Sequence, residues 1–188
     1  SASIITIIFG ILFFLSNLDH DKNIDLPQAF ILTALSWLSI AIFGSLPFIF
    51  SELNLNFTDA FFESMSGITT TGSTIITDLD NAPKGILLWR AILQWLGGIG
   101  IILMAITLMP IMNIGGMQLF KISSNDNAEK ILPNSKEVSL RLIIIYSLLT
   151  LICAFFYKLF GMNYFDSLTH SMTTIATGGF SNYNDSIG

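Results

Sequence analysis

The strongest constraint on this chain is a segment that occurs twice, 107 residues apart and without a gap. Residues 59–72 align with residues 166–179; each copy follows a long uncharged run and ends in a Thr-x-Gly turn. Six of the 14 aligned pairs are identical: Asp59/Asp166, Ser64/Ser171, Met65/Met172, Ile68/Ile175, Thr70/Thr177 and Gly72/Gly179. A short polar helix followed by a threonine/glycine turn, between membrane spans, can present backbone carbonyls to a dehydrated cation. The repeat therefore indicates ion permeation.

The composition predicts a membrane protein. Of 188 residues, 52% are hydrophobic and only 11% are charged, whereas a soluble domain carries about 25% charged residues. Because about 20 apolar residues cross a bilayer, the uncharged runs predict four membrane spans, at residues 4–18, 28–50, 85–109 and 138–158. The chain has no basic stripe, which argues against a nucleic-acid partner.

The two repeated segments are too short to cross the bilayer and are predicted to be re-entrant, which is tolerated where such backbone is buried in protein. We predict a helix over 60–67 capped by Asp59. The third span is predicted to break around Pro110, Asn113, Gly115 and Gly116. The fold class is an all-α membrane protein of tandem membrane–pore helix–membrane repeats, with re-entrant short pore helices and filter loops.

Four segments follow from this organisation. Residues 1–25 are the end of a preceding helical region plus a link, and residues 26–120 are the first membrane–pore–membrane repeat. Residues 121–137 form a loop that the positive-inside rule places in the cytoplasm. Residues 138–188 are a second repeat that contains the first span, the pore helix and the filter turn only.

The repeated turn meets the requirements of a cation site. A bare ion in a region of low dielectric costs tens of kcal/mol, and backbone carbonyls replace its water without adding a full counter-charge. Glycine permits the strained backbone that exposes successive carbonyls, and the C-terminus of a short helix favours a cation. The alternative is that these are small-residue packing motifs between membrane helices.

Other polar and small residues suggest supporting roles. His170 beside Ser171 has no evident acid partner, so we expect a hydrogen-bonded residue rather than a catalytic pair. Glu63 and Asp59 either attract cations at an outer vestibule or cap and solvate the short helix. Gly97 and Gly98 are expected to let the third span approach the turn. No metal cluster or nucleophile–base pair lies in the spans, which argues against a membrane enzyme.

Four motifs resemble the TrkH/TrkG potassium-uptake subunits of the Trk/Ktr/HKT superfamily: FFESMSGITTTG at 61–72, LQWLGGIGI at 93–101, GGMQL at 115–119 and IATGGFS at 175–181. The resemblance covers nearly the whole chain from about residue 26. It implies K⁺ uptake across a bacterial inner membrane, with four repeats around one pore and no organic cofactor. It also implies a homodimer that binds a cytosolic nucleotide-sensing regulatory subunit of the TrkA type.

By motif, the resemblance maps the K⁺ filter onto Thr70, Thr71, Gly72, Thr177, Gly178 and Gly179. The two residues before each final glycine would face the ion. The chain has two such turns where the family has four, so we expect it to be part of a longer polypeptide.

Two alternatives stay open. One is a Na⁺-permeable or Na⁺/H⁺-coupled K⁺ transporter of the same fold, although Gly72 stands where some Na⁺-passing relatives carry serine. The other is an unrelated secondary carrier with re-entrant loops. Such carriers usually have inverted repeats, whereas two spans plus a re-entrant element make this repeat parallel.

Overall fold

The computed structural model describes residues 2–16, 26–112 and 135–186, and the regular structure within these ranges is helical throughout. The helices in chain order are α1 (Ala2–Ser16), α2 (Leu26–Ile49), α3 (Phe57–Ile68), α4 (Lys84–Met112), α5 (Ser135–Leu159) and α6 (Tyr164–Ile175). The all-α prediction is therefore confirmed.

Within the described ranges, three helices are long and apolar enough to cross a membrane, through Phe30–Ile49, Lys84–Ala105 and Glu137–Leu159. They match the second, third and fourth predicted spans. The first predicted span is an apolar helix of 15 residues, about 22 Å long at 1.5 Å per residue, which is shorter than a ~30 Å hydrocarbon core. The last two residues of that prediction, 17 and 18, lie outside the described ranges.

The two short helices have the same length and the same cap. Helices α3 and α6 have 12 residues each, about 18 Å, so neither crosses a bilayer. Asn56 Oδ1 accepts from the backbone N–H of Asp59 at 2.9 Å, and Asn163 Oδ1 accepts from that of Asp166 at 2.9 Å. The prediction that Asp59 caps α3 is wrong. The cap is Asn56, whose extended backbone lets its side chain reach the third helical N–H, and Asp59 occupies that third position.

Helix α4 continues through Pro110 to Met112, so Pro110 itself does not break it. Proline removes one backbone N–H bond, and near the end of a 29-residue helix this loss does not terminate it. The predictions for residues 113–134, which include the interfacial segment and most of the cytoplasmic loop, lie outside the described residues.

Helix α4 packs against both short helices. A cluster of Phe48, Ala60, Ile86 and Leu93 joins α2, α3 and α4. A second cluster joins Leu87 of α4 to three residues of the loop between α3 and α4, Ile76, Leu79 and Ala82. The large side chains of α1 and α5 are mostly exposed, as expected of helices whose outer faces meet lipid.

Candidate functional site

The two repeated turns have the same backbone conformation. Thr70 has φ 57° and Thr177 has φ 56°, while Gly72 and Gly179 both have φ 80°. A β-branched residue at positive φ is a genuine outlier, and such strain clusters at functional sites. The sequence repeat is thus a repeat of three-dimensional structure, including its strained residue.

The hydrogen bonds that close each turn also repeat. Thr70 N donates to Gly67 O at 3.0 Å and Thr71 N to Ser66 O at 3.0 Å. In the second copy, Thr177 N donates to Thr174 O at 2.9 Å and Gly178 N to Thr173 O at 2.9 Å. These two bonds define a Schellman motif, in which the left-handed position is usually glycine. Here a threonine occupies it in both copies.

The two turns touch each other at Gly72. A Cβ built on Gly72 would overlap the carbonyl oxygen of Gly178, and the positive φ of Gly72 independently disfavours a side chain. Two turns that lie 107 residues apart in sequence therefore meet in space, as the two walls of a shared site would.

One face of α4 supports both turns. Arg90, Gln94, Gly97 and Gly98 follow the i, i+4, i+7, i+8 spacing of a single helix face. A Cβ on Gly97 would overlap the carbonyl of Ile68 at the end of α3, and one on Gly98 would lie 3.0 Å from the Cα of Ala176 at the end of α6. The expectation that these two glycines allow close approach is confirmed: each admits the end of one short helix.

Arg90 and Glu63 form a buried ion pair. Arg90 Nε lies 2.7 Å from Glu63 Oε1, and their side chains are 1% and 0% exposed. Glu63 also accepts from Thr74 Oγ1 at 2.9 Å and from Ile75 N at 3.2 Å. Neither role left open for Glu63 is observed, since a fully buried, paired carboxylate faces no vestibule and caps no helix end. It anchors the chain that leaves the first turn.

Gln94 contacts the second turn directly. Its Nε2 donates to Gly178 O at 3.0 Å, and its Oε1 accepts from Phe180 N at 3.2 Å. The side chain is fully buried. Sequence reasoning missed both this residue and the role of Arg90. The available signal was polarity, because a polar side chain within an apolar span usually pairs inside the protein or marks an ion pathway.

A polar network holds the chain that leaves the second turn. His170 Nε2 lies 3.3 Å from Ser181 Oγ, and Nδ1 lies 3.0 Å from Asp166 O. The expectation of a hydrogen-bonded His170 is confirmed. Asp166 accepts from Asn182 Nδ2 at 2.6 Å, from Tyr183 Oη at 2.6 Å and from Asn163 Nδ2.

The ionisation of Asp166 reflects this network. Burial tends to raise the pKa of its carboxyl, but the hydrogen bonds from Tyr183, Asn182 and Asn163 outweigh it, so the pKa lies below its ordinary value. The same bond to Asp166 raises the pKa of Tyr183. Asp166 is therefore an acceptor held in its charged form.

Three spanning helices, and two short helices that end in matched turns, define a membrane protein built of pore-helix repeats. The chain belongs to the TrkH family of cation transport proteins, whose family model matches residues 1–188. This is a family of transport proteins rather than enzymes, and the resemblance seen in the motifs is confirmed.

Individual relatives support the same family membership. The chain is 46% identical over 161 residues to the Trk system potassium uptake protein TrkI of Halomonas elongata, covering 86% of this chain and 33% of the relative. It is 47% identical over 166 residues to TrkH of Escherichia coli K12, covering 86% and 34%. The crystal structure of the potassium transporter TrkH from Vibrio parahaemolyticus superposes with a TM-score of 0.84 at 38% identity, covering 97% of this chain and 36% of that one. The chain thus spans about a third of the length of these relatives.

Proposed function

We propose that this chain is part of a potassium uptake protein and supplies two turns of its K⁺ filter. The observation that carries the proposal is the pair of matched, strained Thr-x-Gly turns that meet at Gly72 and Gly178. The identity of the ion is inferred from the relatives, which are potassium uptake proteins.

The proposed filter residues are Thr70, Thr71, Gly72, Thr177, Gly178 and Gly179. Carbonyls of the residues before each final glycine replace part of the hydration shell of K⁺. In this structure the carbonyl of Gly178 accepts from Gln94, so we assign the ion contacts mainly to the carbonyls of Thr70, Thr71 and Thr177. Each short helix also directs the negative end of its dipole toward the turn.

Transport needs no covalent step. K⁺ enters by partial dehydration and is driven inward by the membrane potential, which is worth about 2.3 kcal/mol per charge per 100 mV. We further propose that the chain divides into segments 1–25, 26–120, 121–137 and 138–188. The protein then lies in a bacterial inner membrane with both turns near the outer face. We also propose that the whole protein is a homodimer, that it binds a TrkA-type cytosolic regulatory subunit and that it uses no organic cofactor.

The test uses the full-length protein that carries this sequence, produced in cells that lack their own K⁺ uptake. Gly72→Ser and Gly179→Ser each add a side chain at φ 80° in a turn. Gly161→Ser is the matched control, because Gly161 also has a positive φ, 107°, and a Cβ there meets nothing within 4 Å, as at Gly179, but Gly161 lies between α5 and α6 rather than in a repeated turn. We expect the two turn variants, and not the control, to lower discrimination of K⁺ against Na⁺. Wild-type discrimination in both turn variants at normal abundance would show that the turns only pack.

A further inference from the structure

We propose that Gln94, supported by Arg90, is a positioning residue that sets the discrimination between K⁺ and Na⁺ by holding the second turn. The inference rests on the proposed filter function and extends it to side chains that do not line the ion path. Gln94 lies on α4, which follows the first turn, yet both ends of its amide contact the second turn.

The contacts of Gln94 bracket a single residue. Gly178 O belongs to the peptide group before Gly179, and Phe180 N belongs to the peptide group after it. The amide of Gln94 bonds both groups at 3.0 and 3.2 Å. Gly179, at φ 80°, is thus flanked by two peptide planes whose rotation is restrained. Selectivity in a carbonyl-lined site depends on the number and placement of the oxygens, so this restraint acts on the property that distinguishes two ions.

The two hydrogen bonds from Gln94 to the second turn, here called the Gln94 clamp, also explain a difference between the two copies of the repeat. Thr71 of the first turn corresponds to Gly178 of the second. A Cβ on Gly178 would overlap the side-chain amide of Gln94, so the second copy requires glycine where the first tolerates threonine. Thr71 Oγ1 instead bonds Thr69 Oγ1 at 2.8 Å.

Arg90 connects the Gln94 clamp to α3, the first short helix. It lies one helical turn before Gln94, and its Nη1 donates to Ser181 O at 2.8 Å. Its guanidinium lies 4.0 Å from the ring centroid of Phe180, the residue whose N–H bonds Gln94. Because Arg90 Nε is paired with Glu63 of α3, Arg90 links the position of α3 to the chain that leaves the second turn.

Two substitutions of Gln94 separate positioning from bulk packing. Gln94→Leu removes both hydrogen bonds. Gln94→Glu keeps the shape and the acceptor for Phe180 N, but it donates to Gly178 O only when its carboxyl is protonated. Thr150→Val is the control, since it removes the bond from Trp95 Nε1 to Thr150 Oγ1 between α4 and α5 without contacting a turn.

The measurements use the full-length protein in proteoliposomes from pH 5 to pH 8, recording Na⁺ and K⁺ uptake. The melting temperature of the purified protein in K⁺ and in Na⁺ is measured in parallel, because it reports ion preference even if a variant does not transport. In Gln94→Leu we expect the ratio of Na⁺ to K⁺ uptake to rise about fivefold, the effect of one net hydrogen bond, at every pH. In Gln94→Glu we expect a ratio near wild type at acidic pH that rises as the carboxyl ionises.

The result that overturns the inference is a wild-type ratio for Gln94→Leu at every pH, together with an unchanged difference between its melting temperatures in K⁺ and Na⁺. Gly179→Ser, measured beside it, distinguishes two failures. If Gly179→Ser lowers selectivity while Gln94→Leu does not, the turn is a filter that Gln94 does not position. If neither changes selectivity, the filter proposal itself fails.

Discussion

Glu63 of α3 and Arg90 of α4 form an ion pair of 2.7 Å that is almost completely withdrawn from solvent, with side chains 0% and 1% exposed. A pair in this position costs desolvation energy that only good geometry and further hydrogen bonds offset. Both partners have such bonds, Glu63 to Thr74 and Ile75 and Arg90 to Ser181. The pair therefore ties the chain leaving the first turn to the chain leaving the second.

Removing one partner of this pair should be strongly destabilising. Glu63→Gln leaves the Arg90 charge buried and unpaired, which costs about 3–5 kcal/mol. Thermal unfolding of the purified protein measures the effect. Glu137→Gln is the matched control, because Glu137 and Arg141 form an exposed pair 3.9 Å apart, and such pairs contribute only about 0–1 kcal/mol. Equal stability losses in the two variants would contradict a structural role for the buried pair.

Substitution of Gly97 should separate α4 from the first turn. A Cβ at this position would overlap the backbone carbonyl of Ile68, which cannot move without shifting the end of α3. We expect Gly97→Ala to lower the free energy of unfolding by about 1–3 kcal/mol, the usual cost of overpacking, and to reduce K⁺ uptake.

Gly100→Ala provides the comparison for that variant. A Cβ at Gly100 meets Trp37 at an ordinary 3.8 Å, so the substitution should be neutral or stabilise the helix by up to about 1 kcal/mol. Both variants are measured by thermal unfolding and by uptake. If Gly97→Ala were as stable and active as Gly100→Ala, the close approach at Gly97 would be unnecessary.

The network around Asp166 should make stability sensitive to acid. Because the folded state lowers the pKa of Asp166 below its ordinary 3.8, the carboxylate stabilises the fold at neutral pH. That contribution is lost as the pH falls from the ordinary value through the lower folded pKa. Tyr183→Phe removes one hydrogen bond to the carboxylate and should reduce the stability lost over this range.

Melting temperatures measured from pH 7 down to about pH 2, through and below the ordinary aspartate pKa, test this expectation. Tyr164→Phe serves as the control, since Tyr164 is 79% exposed. Among the residues that the structure describes, the side-chain donors to the Asp166 carboxylate are Asn163, Asn182 and Tyr183. Identical acid profiles for wild type and Tyr183→Phe would exclude the bond as a source of acid sensitivity.

The sequence predicted that one helix and turn occurs twice, because each copy depends on nearby residues. It assigned the first cap to Asp59, and it did not predict the strained threonines or the bond of Glu63 to Thr74. The offset of 107 residues aligns the caps Asn56 and Asn163 and the strained Thr70 and Thr177. It also aligns two hydrogen bonds made by different residues, Glu63 to Thr74 and His170 to Ser181. Each is a local event, a helix end or a short loop returning to its helix, and hydrophobic run lengths similarly predicted the three long helices.

Only the tertiary structure decided how the two turns are joined. Gln94 reaches Gly178 across 84 positions and Arg90 reaches Ser181 across 91, and these contacts depend on how α4 packs between α3 and α6. Glu63 was misread for the same reason, since nothing near it in the chain indicates that Arg90 will neutralise it. The sequence by itself determined a repeated helix and turn in a membrane protein. Packing determined which buried polar groups hold those turns together, because a buried charge or amide is stable only beside a partner that the fold brings to it.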